Sequence, residues 1–257
     1  MKLFVQELLL KTYALIVRTG VLETRAGRRL FAGAYNLYKL LLEACEIRFL
    51  RAYVKPGEVV VDVGANVGFF TRRFAQWVSD GGFVIAIEPE ETNFRNLLRN
   101  LDRYHLAAAV RPFQGVAAEA PGTLKLEINP IHPADHKIGA EGVDVTAYTV
   151  DGLVRQEGVS RVSLMKIDVQ GAEERVLRGA GEMIARDHPV IFIEMDDTGL
   201  RKMDSSAQRV IDLLTEANYE IRHFSKAGKP ELISIETALG LCADGRYTDL
   251  LFVPVVA

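Results

Sequence analysis

The chain is 257 residues long, 49% hydrophobic and 25% charged, with a formal net charge of −3. That length suffices for one large α/β domain with a well-buried core and is marginal for two. The acidic balance argues against a nucleic-acid binder, whose electrostatic footprint is strongly basic. The two cysteines, Cys45 and Cys242, are too few and too far apart for a disulfide framework or a thiolate metal site, so a reduced, cytoplasmic setting is expected.

The first twenty residues, MKLFVQELLLKTYALIVRTG, are apolar but interrupted by Lys2, Glu7, Lys11 and Arg18. Their longest apolar run, Tyr13 to Val17, falls far short of the ~20 residues a membrane span needs, and neither a span nor a signal peptide is expected. Residues 1–53 predict a helical extension, because Leu9, Tyr13 and Ile16, then Leu37, Leu41, Ala44 and Ile47, recur at helical spacing. This extension reads as an amphipathic cap on the domain formed by residues 54–257, with a homodimer contact, a substrate lid or a membrane-surface contact as alternatives. Arg25, Arg28 and Arg29 read as a solvated turn.

From Pro56 onward strand-like and helix-like segments alternate, the signature of βαβ units and a mostly parallel, doubly wound sheet. Strands are predicted at 59–63, 83–88, 110–116, 163–168 and 190–194, with two more at 219–224 and 249–254. Helices are predicted at 67–77, 91–104, 172–184 and 207–217. Between Gly122 and Val150 the alternation breaks: two period-two stretches, TLKLEIN and VDVTAYTV, flank the loop PIHPADHKIGAEG. This predicts an inserted β-hairpin.

The first strand-to-helix turn is VVVDVGANVGFF, in which Asp62 is followed by Gly64, Ala65, Asn66 and Gly68. The glycines let the backbone turn sharply and leave room for a ligand to lie against it. A dinucleotide fingerprint would read G-x-G-x-x-G; the spacing here is D-x-G-x-x-x-G. Pyrophosphate requires a cradle of amides at a helix N-terminus, whereas S-adenosylmethionine carries no phosphate and presents an ammonium and a sulfonium, which an acid at the turn suits. The next strand ends in IAIEPE, placing Glu88 and Pro89 at a carboxyl edge where ligands bind in open α/β sheets. A carboxylate there can accept hydrogen bonds from both hydroxyls of a ribose.

Taken together and in order, VDVGANVGFF, IEPE and MKIDVQGAEERVLRGA resemble the FkbM-type family of S-adenosylmethionine-dependent methyltransferases, over a stretch from about Lys55 to about Asp197. The resemblance implies a Rossmann-like methyltransferase sheet and a cofactor site formed by Asp62, Gly64, Ala65, Asn66, Gly68, Glu88 and Pro89. It also implies that Val116 and Ala117 flank the adenine and that Asp168 contacts cofactor or substrate. One position departs from the family: Gln170 stands where members carry Glu, which keeps hydrogen-bonding capacity but loses the charge.

Methyl transfer from a sulfonium is an in-line displacement, and a hydroxyl acceptor must also lose a proton. Asp168 and Glu194 end the fourth and fifth predicted strands and open onto the same crevice. Lys166 shares a strand face with Asp168, with a snorkelling stem at the sheet edge as the plainer alternative. Glu173 reads as a helix cap or a local ion-pair partner. The loop HPADHKI gathers His132, Asp135 and His136, and its ADHKI portion is similar to a stretch found in one branch of the family. His136 is the first candidate base, because an ordinary histidine titrates near neutrality, with Asp135 or Asp168 orienting it. A competing possibility is a Mg²⁺ ion held by Asp168, Glu194 and Asp135, although no ligand spacing requires a metal. His105, His188, His223 and Trp77 read as structural.

The expected reaction is therefore O-methylation of a small-molecule, sugar or polyketide-like hydroxyl. N-methylation of an amine is the near alternative. A non-catalytic partner subunit that keeps the fold is a further one, opposed by the intact Asp62, Gly64, Gly68 and Glu88. DVQG after the fourth strand lacks the D/N-P-P-Y tetrapeptide of nucleic-acid amino methyltransferases.

Overall fold

The computed structural model describes residues 47–129, 136–225 and 228–255. The predicted extension therefore lies outside the described residues up to position 46, and so do His132 and Asp135. Among the described residues no helix is long and apolar enough to cross a membrane.

An eight-stranded mixed sheet forms the centre. In chain order its strands are β1 (Val59–Val63), β2 (Phe83–Glu88), β3 (Val110–Gln114), β8 (Val162–Ile167), β9 (Val190–Asp196), β10 (Tyr219–Phe224), β11 (Pro230–Leu232) and β12 (Tyr247–Pro254). Across the sheet they run β11-β10-β12-β9-β8-β1-β2-β3. β3, β2, β1, β8 and β9 are parallel, whereas β12 is antiparallel to both β9 and β10. From β1 the chain moves outward through β2 to β3, then returns to β8 on the other side of β1. The strand order thus reverses between β1 and β8, and in such sheets the crevice at the carboxyl ends of the two strands is where ligands bind.

Both faces of the central parallel strands β1 and β2 are covered, so their sequences are almost continuously apolar rather than alternating; all five residues of β1 are buried. Helices α1 (Phe69–Trp77) and α2 (Glu91–Arg103) cover one face, where Phe70, Phe74 and Leu97 meet Val60, Leu164 and Phe192. Ile47 and Leu50 join the same cluster. The opposite face packs Val61, Ile85, Met165 and Ile193 under α3 (Val150–Gln156), α4 (Glu173–Arg178), α5 (Gly181–Asp187), α6 (Asp197–Lys202), α7 (Ala207–Glu216) and α8 (Ile235–Cys242).

The expected hairpin is present as β5 (Gly122–Glu127) paired antiparallel with β7 (Val143–Tyr148). It belongs to a second, four-stranded sheet ordered β4-β7-β5-β6, with β4 (Val116–Ala117) and β6 (Lys137–Gly139). The strand predicted over 110–116 is accordingly divided. At Gly115 the backbone presses so closely on Thr146 and the Tyr148 ring that a Cβ would overlap them, and the chain leaves the main sheet for the second one. The helix predicted over 172–184 is also two helices. The Asp151 carboxylate accepts from the amides of Glu182 (3.0 Å) and Met183 (2.8 Å), capping a fresh start at α5. Three helices escaped the periodicity because they are short, and each starts at a cap: Thr149 for α3, Asp196 for α6 and Ser234 for α8.

The turns after β1 and β8 touch. Gly64 has φ +78°, and a Cβ there would overlap the carbonyl oxygen of Asp168. Gly64→Ala is therefore expected to lower the unfolding free energy by about 2–4 kcal/mol, from left-handed backbone strain plus steric overlap. Gly122 has open space around it, so Gly122→Ala should stay within about 1 kcal/mol of the parent. Urea denaturation of the two variants checks the contrast.

Candidate active site

The site is assembled at the carboxyl edge of β1, β2 and β8. Asp62 continues the line of Val60 toward α1, and α1 answers with Thr71, whose hydroxyl donates to Asp62 Oδ2 at 2.6 Å. The in-register partner of Asp62 on β8 is Lys166, with Nζ 3.5 Å from Asp62 Oδ1. Asp62 and Lys166 are both buried. Burial raises the Asp62 carboxyl above its ordinary value, opposed by the Lys166 charge and the Thr71 hydroxyl. The same ammonium lies 3.1 Å from Asp168 Oδ2, donates to the Gly64 carbonyl at 3.1 Å and sits 5.1 Å from the Phe70 ring centroid. Asp168 keeps a quarter of its side chain exposed, and its amide donates to Val63 O at 3.0 Å.

The amides of the turn from Gly64 to Gly68 are all engaged. Those of Gly64 and Ala65 both donate to Ile87 O at 3.0 Å, and that of Gly68 donates to Ala65 O at 2.9 Å. Asn66 N donates to Glu88 Oε2 at 2.8 Å and Val67 N to Asn66 Oδ1 at 2.7 Å. Asn66 itself takes φ 50°, a left-handed conformation that Asn tolerates better than most residues. At Gly68, a Cβ would stand 2.7 Å from Leu97 Cδ1 of α2.

Glu88, at the end of β2, is buried with its carboxylate held at both oxygens. Oε1 accepts from Glu90 N at 3.0 Å and from Asn93 Nδ2 at 3.5 Å. Burial pushes its carboxyl up to about 7, with the Glu90 and Asn66 amides pulling the other way. Pro89 follows, half-buried. Gly115 N donates to Glu88 O at 3.1 Å, which brings buried Val116 and Ala117 of β4 beside this strand end.

Glu173, the first residue of α4, is buried. Oε1 accepts from Gly171 N at 3.2 Å, a bond to the preceding turn rather than the helix cap or ion pair expected, and Oε2 is buried without a hydrogen-bond partner among the described residues. Burial drives its carboxyl up to about 8, helped by the negative charges of Asp168 and Asp196.

Two further candidates lie beside the second sheet and on β9, where Glu194 follows Ile193, the register partner of Ile167, and so falls level with Asp168. His136 precedes β6 in the second sheet, where its Nδ1 accepts from Asn129 N at 3.1 Å. Glu194 is half-buried on β9 and lies opposite Asp249 of β12. Among the described residues, no three His, Cys, Asp or Glu side chains are grouped so as to hold a metal ion. Lys166 is not a snorkelling stem at a sheet edge: β8 lies between β9 and β1, and its ammonium is shared by two carboxylates.

The model of the methyltransferase FkbM domain matches residues 62–221 of this chain. The chain belongs to the FkbM methyltransferase family. Among its relatives, the hexuronic acid methyltransferase AglP of Haloferax volcanii is 32% identical over 150 residues, covering 57% of this chain and 56% of AglP. The 31-O-demethyl-FK506 methyltransferase FkbM of Streptomyces tacrolimicus is 28% identical over 181 residues, covering 57% of this chain and 68% of that protein. A solved FkbM methyltransferase from Methylobacillus flagellatus aligns with TM-score 0.48 and 19% identity, over 84% of this chain and 53% of the other. The matches thus span little more than half the length of AglP and of the solved structure.

Two FkbM-domain residues escaped the sequence analysis: Thr71, which holds Asp62, and Asn93, which holds Glu88. Each is a polar residue on the buried side of an amphipathic helix, a signal visible only once the helix face is known.

Glu88 and Glu173 hold their protons more tightly in the folded protein than in the unfolded chain. Their stabilisation is full below the ordinary value of 4.5 and is lost as the pH rises through about 7 and about 8 respectively. The thermal midpoint is therefore expected to fall between pH 5 and pH 8.5 on this account, and Glu173→Gln to remove part of the fall. A parallel pH dependence in parent and variant would contradict this. Scanning calorimetry across that range checks it.

Proposed function

We propose that this FkbM-family protein transfers the methyl group of S-adenosylmethionine to a hydroxyl of a small-molecule acceptor, a sugar or polyketide-like product. The observation that carries the choice of donor is the engagement of the amides from Gly64 to Gly68. A pyrophosphate needs free amides at this position, and this turn has none to offer. The turn is flanked instead by the carboxylates of Glu88 and Asp168, which suit a ligand bearing hydroxyl donors and positive charge. Gly64, with no room for a side chain, lets this turn pack against the Asp168 carbonyl, which brings Asp168 beside the turn. When bound, S-adenosylmethionine supplies an electrophilic methyl group on sulfur.

The chain's own residues then have distinct tasks. Glu88 accepts from the ribose hydroxyls with the lone pairs left over from Asn66, Glu90 and Asn93. Asp168, the partly exposed member of its charge cluster, faces the crevice and accepts the proton of the acceptor hydroxyl. In the neutral His136 ring, an Nδ1 that accepts from Asn129 leaves the proton on Nε2. That ring must give up the Asn129 contact before it can act as a base, which favours Asp168 for this step. The acceptor class is supported by the relatives, one named for a hexuronic acid and one for a 31-O position.

Calorimetry should detect S-adenosylhomocysteine binding and no NAD binding; the opposite ranking would remove the basis of the proposal. Glu88→Ala should weaken that binding by about 1.5–3 kcal/mol, the scale of charge-assisted hydrogen bonds. Because hydroxyls donate to the ionised carboxylate, affinity should rise as the pH passes through about 7, and Glu88→Gln should flatten the rise.

Incubation with S-adenosylmethionine and panels of uronic acids, polyketide alcohols and amines, read by mass spectrometry for a gained methyl group, identifies the acceptor. Methylation of amines alone would overturn the hydroxyl assignment. With that acceptor, Asp168→Asn should lower kcat by ~10²–10⁴-fold while His136→Ala retains most of it. The reverse order would transfer the base role to His136.

A further inference from the structure

Lys166 is a charged residue at the centre of a parallel sheet, a costly place for an ammonium unless it is paired. It contacts Asp62 at 3.5 Å, Asp168 at 3.1 Å and the Gly64 carbonyl at 3.1 Å. The three partners are not equivalent. Asp62 is fully buried and already holds the Thr71 hydroxyl, and the Gly64 carbonyl belongs to the backbone of the cofactor turn. Of the two carboxylates only Asp168 is partly exposed, a quarter of its side chain facing solvent.

The strand geometry explains why one ammonium reaches all of them. Parallel register places Lys166 directly beside Asp62, and two residues farther along β8 the Asp168 side chain returns to the same face. The Asp168 backbone is meanwhile pinned by its amide to Val63 O and packed against Gly64. The side-chain torsions of Asp168 place its Oδ2 3.1 Å from the ammonium.

We propose that Lys166 is a positioning residue for methyl transfer: anchored by Asp62 and Gly64, it holds the Asp168 carboxylate at the crevice in the ionised form that takes the acceptor's proton. The meaning of this role rests on the proposed methyl transfer. Its first test uses ligand-free protein, so a failure to bind S-adenosylhomocysteine and a failure of this inference are separate results.

Removing Lys166 alone would strand a buried Asp62 charge, so the comparison is Asp62→Asn against Asp62→Asn/Lys166→Met. In protein labelled at the aspartate carboxyl carbons, the Asp168 resonance is identified by its loss in Asp168→Asn. Its titration midpoint is expected to be higher by one pH unit or more in the double variant, because a neighbouring cation has gone. Asp62→Asn/Lys166→Arg should restore it. With the acceptor found, turnover of the double variant should fall relative to Asp62→Asn at low pH and recover as the pH rises. A midpoint common to both folded variants, or a turnover loss equal at every pH, would overturn the inference and leave Lys166 as a strut of the sheet. Should the double variant not fold, Asp168→Asn decides instead. The Lys166 ammonium signal in nitrogen-detected spectra should shift when that carboxylate is neutralised, and a signal indifferent to the change would overturn the inference equally.

Discussion

The contact on which the site depends is the seam between the turns that follow β1 and β8. Two adjacent parallel strands end side by side there, and their connections depart in different directions because the strand order reverses between them. The departure opens a crevice, while the seam keeps its walls in register. Gly64 presses on the Asp168 carbonyl, the Asp168 amide reaches Val63 O, and Lys166 joins Asp62, Asp168 and Gly64 through a single ammonium. A side chain at position 64 would force these turns apart, and loss of the ammonium would leave the Asp62 carboxylate buried in an apolar sheet without its counter-charge.

Around this seam the polar groups are divided by function. Backbone donors of the 64–68 turn are satisfied within the protein, so the turn is rigid and offers no anion site. The carboxylates are held differently. Glu88 is buried deeply enough for its charge to be costly, yet the Asn66 and Glu90 amides lower that cost, leaving a group balanced near neutrality. Glu173 is less well compensated, with one oxygen unpartnered among the described residues, and its ionisation adds a third negative charge beside Asp168 and Asp196.

The second sheet gives this FkbM-family domain a feature that the alternating strand-helix plan does not require. Gly115 redirects the chain just beyond β3, so Val116 and Ala117 leave the main sheet yet remain beside the end of β2 through the Gly115–Glu88 hydrogen bond. The same insertion carries His136, whose imidazole is held by Asn129 at its Nδ1. Val116 and Ala117 thus belong to the same second sheet that His136 adjoins at β6, joined to the end of β2 by the Gly115–Glu88 hydrogen bond.

Much of this was legible in the amino-acid order. Buried parallel strands read as unbroken apolar runs, so β1 and β2 were located to the residue; antiparallel β10 was located by its alternation instead, and a D-x-G-x-x-x-G turn followed by IEPE marks the carboxyl edge of β1 and β2. The MKIDVQGAEERVLRGA stretch completes the family signature, and period-two stretches announced the hairpin. Local patterns of this kind survive in sequence because the backbone imposes them within a few residues. What they could not convey was pairing across the sheet: that Lys166 is central, that Thr71 and Asn93 face inward to hold Asp62 and Glu88, and that one Glu173 oxygen has no partner among the described residues. Nor could periodicity foresee that Gly115 and the Asp151 cap divide a strand and a helix, since each break is made by residues about thirty positions away. The sequence by itself determined which elements form and where their charged residues fall. Only tertiary structure decided which charges meet, because burial and partner distance are properties of neighbours brought together across the fold.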